Sequence, residues 1–441
     1  MKNLYSSLPF LLWVYHYVSL CLFLQGAGTV NAAELGRAPD AETCDPSECH
    51  IPKCHCPSSS PPGNIEPSKT PQVILITFDD AVHSVNIDYF RAIFNPKYKN
   101  PNGCPIGGTF FVSDAADGFG LETQYEVAKE LHGRGLEIAV HSLSHTYPEQ
   151  WWSGNATYKD YVKEMVGQRR KISQRAGIPE GDLVGVRVPF MSIGGDNMYK
   201  ALYDNNFVYD KSMLTGSPHF KDRSLPLFPY TLDFPPQVGT VCDNGRVGSL
   251  NCPRGSYPGF WAVPVNRPFR KEAGESCNGA DALGCDFAED EDVFEFYVHN
   301  FNLHYENNRA PLCLLLHSSW FKSHPEGVDI VKQFIEYVAS YKDVYIITVH
   351  ELVQWMKQPT DLSQIHNFKP WRTRCTGDEK STDFSDLFLD FLNSPYVYFI
   401  FAIFGLFLLL FGRRCLWRCR RLLISVGKTT DGKTERVKID Y

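Results

Sequence analysis

Residues Val73–Ser84 read VILITFDDAVHS, an apolar run rich in β-branched side chains that ends on two adjacent carboxylates, with a histidine three residues further on. Apolar residues at every position, rather than at alternate ones, describe a strand covered on both faces, as in the centre of a parallel sheet. Side chains alternate along a strand, so Asp79 and Asp80 should leave it in different directions. Two carboxylates held this close raise each other's proton affinity. Either the pair is a solvated turn at the strand end, where Asp is common, or a positive charge offsets the repulsion.

Further strand-like runs follow: GGTFFVS, LEIAVHS, LVGVRVPF, FVYDKSM, LCLLLHS and VYIITV. Between them, helical periodicity marks ETQYEVAKELHGRG, YKDYVKEMVGQRRKISQRAG, NMYKALYDNN and VDIVKQFIEYVASY. Strands alternating with helices predict an α/β fold, a parallel sheet with crossover helices that is closed or nearly closed into a barrel. The main domain is expected over 71–375. The stretch 217–292 interrupts the rhythm with four cysteines and many Pro and Gly, and reads as a disulfide-rich insertion over one face. Residues 34–70 read as a short Cys-rich segment followed by a Pro/Ser linker.

With 441 residues, 43% of them hydrophobic and 21% charged, the chain can build a large core and is not disordered. Its net charge of −7, with no long basic stripe between Asp40 and Asp390, argues against nucleic acid as a partner. Lys2 precedes the apolar run Leu8–Leu24, and small residues follow. This is the layout of a signal peptide over 1–33, with a retained anchor as the alternative. Near the other end, Pro395–Gly412 is 18 residues without a charge, and RRCLWRCRR follows it. That pattern predicts a transmembrane helix, preceded by a stalk over 376–394 and followed by a cytoplasmic tail over 413–441. The expectation is a single-pass type I protein of the cell membrane with its body outside.

Cysteine usage fits that compartment. Setting aside Cys21, Cys415 and Cys419 leaves eleven of the 14 cysteines in the outer body, so one is unpaired, and Cys313 in PLCLLLH is the candidate. The close spacing of Cys242 with Cys252, and of Cys277 with Cys285, suggests local staples. CDPSECHIPKCHC, with His50 and His55, reads as disulfides or as a zinc knuckle. Cys415 and Cys419 are candidates for palmitoylation or plain thiols. Asn155 in NAT is an N-glycosylation acceptor, and the terminal VKIDY would suit a PDZ groove.

The polar residues at the strand ends are Asp79, Asp80, His141, His145, Arg187, Asp210 and His317. In parallel barrels that rim carries catalysis, because many strand ends can aim side chains at one point. Two imidazoles four residues apart in HSLSH can face one ion. With a carboxylate from a neighbouring strand they make a three-ligand site with an open position. One aspartate would then bind the cation while the other takes a proton. Each residue also has a plainer reading: satisfied histidines at strand ends, and an arginine in a structural salt bridge.

TFDD, HSLSH, RVPF and LLLH, in this order between Pro71 and Pro359, resemble the motif series of the NodB-type polysaccharide deacetylases, carbohydrate esterase family four. NFNLHYENNRAPLCLLLHSSWF, VYIITVHELVQWM and CDPSECHIPKCHC are similar to animal chitin deacetylases. The resemblance implies a distorted (β/α) barrel around one divalent metal, usually zinc. It also implies removal of acetyl from N-acetylglucosamine units of chitin or a related polymer. By the same resemblance Asp80, His141 and His145 are the metal ligands, Asp79 the general base, Arg187 its partner and His317 the general acid. The Phe190 backbone N–H would serve the oxyanion, and Trp261 and Leu315 would wall the acetyl methyl. Two positions depart from the family pattern. Phe190 stands where Tyr is usual, and no acidic residue directly precedes Trp261, leaving Asp210 or Asp233 as candidates to tune His317. Two rival readings are a non-catalytic, glycan-binding matrix organiser and a hydrolase of another acyl substrate, such as acetylated xylan.

Overall fold

A computed structural model describes residues 43–375, apart from 216–224, 238–241, 243–250, 271–274, 278–284, 286 and 288–291. The expected signal peptide, stalk, transmembrane helix, cytoplasmic tail, Cys415 and Cys419 lie outside the described residues. Among the described residues no helix is long and apolar enough to cross a membrane.

The strands are β1 (Gln72–Asp80), β2 (Thr109–Val112), β3 (Glu137–Val140), β4 (Gly185–Val186), β5 (Tyr209–Asp210), β6 (Tyr230–Leu232), β7 (Tyr257–Ala262), β8 (Phe269–Arg270), β9 (Glu275–Ser276), β10 (Leu312–His317) and β11 (Val344–Ile346). Nine of them form one curled sheet, eight in the order β10-β1-β2-β3-β4-β5-β7-β6 with β11 also pairing with β1, while β8 and β9 pair as a separate ribbon. All pairings in the large sheet are parallel except β6 with β7. β1 is long enough to pair along one edge with β10 and along the other with β11 and then β2, which makes it the axis of the sheet.

Alternation along β1 separates two cores. Val73 and Leu75 pack inward with Phe111, Ala139, Tyr209, Trp261, Cys313 and Leu315. Ile74, Ile76 and Phe78 pack outward with Phe110, Val112, Val140 and the helices. Burying each such side chain contributes about 1.5–3 kcal/mol, so a one-residue slip of β1 would forfeit both layers at once.

One feature differs from the sequence-based expectation. β6 and β7 lie inside 217–292, so that stretch is not wholly an insertion; it supplies two strands of the main sheet. Pro258 and the left-handed Gly259 (φ 75°) interrupt the pattern of β7, and β6 has only three residues, so neither shows the run that marks a strand. Among the described residues the sheet curls without closing, with β6 and β10 at the ends of the order, as the expectation of a distorted, nearly closed barrel allows. The segment His55–Ser59 links these two regions instead. Thr231 N–H donates to the His55 carbonyl at 2.9 Å and Phe228 N–H to that of Ser58 at 2.9 Å. Asn308, just before β10, donates to the Ser59 and Pro226 carbonyls, both at 2.7 Å.

Disulfides join Cys44–Cys56, Cys49–Cys54, Cys104–Cys375, Cys242–Cys252 and Cys277–Cys285, and Cys313 is buried and unpaired. The two local staples and the free Cys313 agree with expectation. Cys44, Cys49 and Cys54 lie close enough to share an ion, but their sulfurs are committed to disulfides.

Candidate metal centre and active site

Strand register brings the site together. Asp79 sits level with His317 across the β1–β10 ladder, and Val140 is level with Val186 across β3–β4, so His141 and Arg187 emerge side by side. Parity would send Asp80 outward to the helices. Its left-handed backbone (φ 79°) turns it back to the rim. Ser142 (φ 82°), His145 (φ 46°), Phe190 (φ 59°) and Met191 (φ 52°) share this conformation, so five of the eight such non-glycine residues described gather here. Each costs on the order of 1–3 kcal/mol, and strain of this kind clusters at functional sites.

His141 donates its Nδ1 proton to the Arg187 carbonyl at 2.8 Å, because a carbonyl can only accept; its Nε2 lone pair therefore faces the rim. That Nε2 lies 3.8 Å from Asp80 Oδ1, and His145 Nε2 lies 3.4 Å from the same oxygen. The ligand atoms of Asp80, His141 and His145 all fall within 4.8 Å of one another. Tetrahedral bonds of about 2.0–2.2 Å place ligand atoms roughly 3.3–3.6 Å apart, so small side-chain adjustments suffice for these three to hold a divalent metal. Burial and the neighbouring His141 push His145 down to about 4 despite the pull of Asp80 and Asp79, which keeps the ring neutral and able to ligate.

Asp79 is in a different situation. Burial pushes its carboxyl up, but the Arg187 guanidinium, with His141 and His317, outweighs this and holds it below the usual carboxylate value. Arg187 is fully buried. Its Nη1 donates to Asp79 Oδ1 at 2.5 Å and to Thr77 Oγ1 at 3.2 Å, its Nε donates to the Lys211 carbonyl at 3.1 Å, and the guanidinium stacks 4.1 Å from the Phe111 ring centroid. Asp79 Oδ2 remains on the ligand side, 3.9 Å from His141 Nε2. The two adjacent carboxylates thus have separate environments, one against an arginine and one against two imidazoles.

His317 ends β10, partly buried, opposite Asp79. Leu315 and Trp261 lie in the inner core, 2% and 0% exposed. Phe190 heads a tight turn in which Met191 and Ser192 donate to the Val188 and Pro189 carbonyls, while among the described residues its own N–H has no protein acceptor. The Phe190 ring packs edge-on to His145 at 4.6 Å.

Asp210 and Asp233 each hold hydrogen bonds elsewhere in the fold. The Asp210 carboxylate accepts from Tyr199 at 2.8 Å and from Ser212 at 2.5 Å, because its parity is opposite to that of Tyr209 and sends it into the helix layer. Ser212 Oγ in turn accepts from Val188 N–H at 2.8 Å, so Asp210 braces the RVPF segment. Asp233 accepts from Gly259 N–H at 3.1 Å, between β6 and β7.

One residue escaped the sequence reading. Glu164 is 3% exposed, in a π-helical turn over Val162–Val166. Its Oε2 accepts from Leu143 N–H at 3.1 Å, Ser144 N–H at 2.8 Å and Ser144 Oγ at 3.0 Å, while Ser142 Oγ accepts from His145 N–H at 3.1 Å. These bonds fix the loop between the two histidines. The available signal was a lone carboxylate among buried Tyr161, Met165 and Val166. If Asp80, His141 and His145 hold a divalent cation, Glu164→Ala should weaken its binding by about 10–100-fold, whereas Glu164→Gln, which keeps an acceptor oxygen, should retain most of it. Competitive chelator titration of both variants checks this.

No protein-family model matches the chain. It is 37% identical over 323 residues to Chitin deacetylase 1 of Bombyx mori, covering 71% of this chain and 56% of that protein. It is 32% identical over 338 residues to Chitin deacetylase 8 of Bombyx mori, covering 76% of this chain and 83% of that one. The chain thus spans little more than half the length of the first relative. Among solved structures, the chitin deacetylase of the fungal pathogen Colletotrichum lindemuthianum aligns at 12% identity and a TM-score of 0.35, over 64% of this chain and 88% of that one. Peptidoglycan deacetylase PdaC of Bacillus subtilis aligns at 16% identity and 0.35, over 67% and 95%. At such scores the family assignment rests on the two sequence relatives. An identity of 32% maintained over 83% of a curated relative's length places this chain in the chitin deacetylase family.

Proposed function

We propose that this protein hydrolyses N-acetyl groups on N-acetylglucosamine units of chitin or a related extracellular polysaccharide, releasing acetate. The observation that carries the reading is the division of labour between Asp79 and Asp80: one carboxylate is held ionised by Arg187, and its neighbour is turned toward His141 and His145. A divalent cation held by Asp80, His141 and His145, zinc or another, would supply Lewis-acid polarisation of the amide carbonyl. Asp79 Oδ2 would take the proton of the attacking water. The Phe190 N–H would donate to the oxygen that becomes negative in the tetrahedral species. His317, across the ladder from Asp79, would protonate the departing nitrogen, so that amide and water become amine and acetate without a covalent enzyme intermediate. Leu315 and Trp261 would offer the acetyl methyl an apolar wall.

Five disulfides support action in an oxidising, extracellular setting. The apolar stretch Pro395–Gly412 supports tethering at the cell membrane, and exposed Asn155 is the proposed glycosylation site. Acetate release by the full chain, measured on N-acetylglucosamine oligomers and on acetylated xylan, tests the reading. Release from the oligomers is the expected result. Release from xylan alone would assign another acyl substrate, and tight oligomer binding without release would assign a glycan-binding matrix organiser.

A further inference from the structure

Tyr147 is 81% exposed, well above the next most exposed large hydrophobic residue among those described, Val85 at 49%. It stands two residues beyond the candidate ligand His145. A loose loop does not account for its exposure, because the flanking backbone is clamped on both sides. Fully buried Trp152 donates its indole N–H to the Thr146 carbonyl at 2.9 Å, Trp151 N–H donates to the Pro148 carbonyl at 2.9 Å, and the Ser144 and Thr146 hydroxyls lie 2.6 Å apart. The ring is therefore held out from a rigid base.

Its surroundings give that position a direction. The Tyr147 ring centroid lies 6.3 Å from that of Phe190, which packs 4.6 Å from His145. His145, Phe190 and Tyr147 thus form a continuous row of rings leading from the metal centre to open solvent. A large aromatic face left in water forgoes the gain of burial, and a preformed, rigid one can bind a flat ligand with little loss of conformational freedom. A pyranose ring offers such a surface, since its axial C–H groups make one side apolar while its hydroxyls stay in water. A polymer with one unit at the metal must carry its next unit across the rim of the site.

We propose that Tyr147 is a specificity-determining residue that stacks on the sugar neighbouring the one whose acetyl group is removed, with Phe190 forming the inner end of the platform. The proposal rests on the deacetylase reading for its substrate class.

The test compares the full wild-type chain, loaded with zinc, with Tyr147→Ala and Tyr147→Phe on the tetramer and the monomer of N-acetylglucosamine. Losing one aromatic contact should lower the tetramer-over-monomer ratio of kcat/KM about tenfold in Tyr147→Ala, through KM. Tyr147→Phe should restore it, and zinc content should be equal in all three. An unchanged ratio overturns the proposal. So does a fall in kcat accompanied by loss of zinc, which would mean that Tyr147 acts through His145. If the wild-type chain releases no acetate, the deacetylase reading fails by itself, and calorimetric titration with the tetramer decides the stacking. Weaker binding by Tyr147→Ala supports it, and equal or undetectable binding by the wild type overturns it.

Discussion

Asp79→Asn should retain bound zinc while lowering acetate release by about 10²–10⁴-fold, whereas Asp80→Ala should lose zinc and turnover together. The contrast follows from the separate environments of two neighbouring carboxylates. Asp80 Oδ1 faces both imidazoles and Asp79 Oδ1 faces Arg187, so only the first deletion removes an inner ligand. Asparagine keeps the shape of Asp79 but accepts no proton at the pH of the reaction. It also leaves the fully buried Arg187 without a counter-charge, so a lower melting temperature should accompany the lost turnover. Metal analysis, acetate assay and thermal unfolding on the same preparations separate these effects. Zinc loss in Asp79→Asn comparable to that in Asp80→Ala would make Asp79 a ligand too and contradict the separation of roles.

Arg187→Met should destabilise the protein by about 3–5 kcal/mol, the usual scale for breaking a buried ion pair from one side. The remaining Asp79 carboxylate would have burial acting against it and its main counter-charge gone, so its pKa should rise above the ordinary value. Linkage then gives opposite pH trends. In the wild type the folded pKa of Asp79 is depressed, so its contribution to stability is present above the ordinary carboxylate value and fades as pH falls through the folded pKa. In Arg187→Met the folded pKa is raised, so protonation favours the folded state. The deficit relative to wild type should therefore be greatest at neutral pH and shrink as pH falls toward the ordinary carboxylate value. Melting temperatures of both proteins across that interval check the sign, and a deficit independent of pH would remove Asp79 from the explanation.

Most of the sheet was legible because its strands announce themselves. β1, β2, β3, β10 and β11 are apolar on both faces and end at polar residues, and the spacing in HSLSH already placed two imidazoles together. β6 and β7 were not legible. Three residues carry too little periodicity, and Pro258 with Gly259 breaks the other strand. Asp210 shows a second limit. Its position at a strand end was correct, but alternation turns it to the helix layer, where Tyr199 and Ser212 take its oxygens. Asp80 breaks the same rule in the opposite sense through a left-handed backbone, which Asp tolerates but does not dictate. Glu164 was invisible because its value lies in long-range bonds to a loop some twenty residues earlier, and those depend on a π-helical register.

On the proposed reading, Asp80, His141 and His145 grip one divalent cation on which acetate release depends. Zinc titration of the chelator-stripped full chain, with bound metal and acetate release from an N-acetylglucosamine oligomer recorded at each addition, tests it directly. The expected result is no release from the stripped chain and recovery in proportion to bound zinc, complete at one equivalent. Release from the stripped chain as fast as from the loaded one would contradict it.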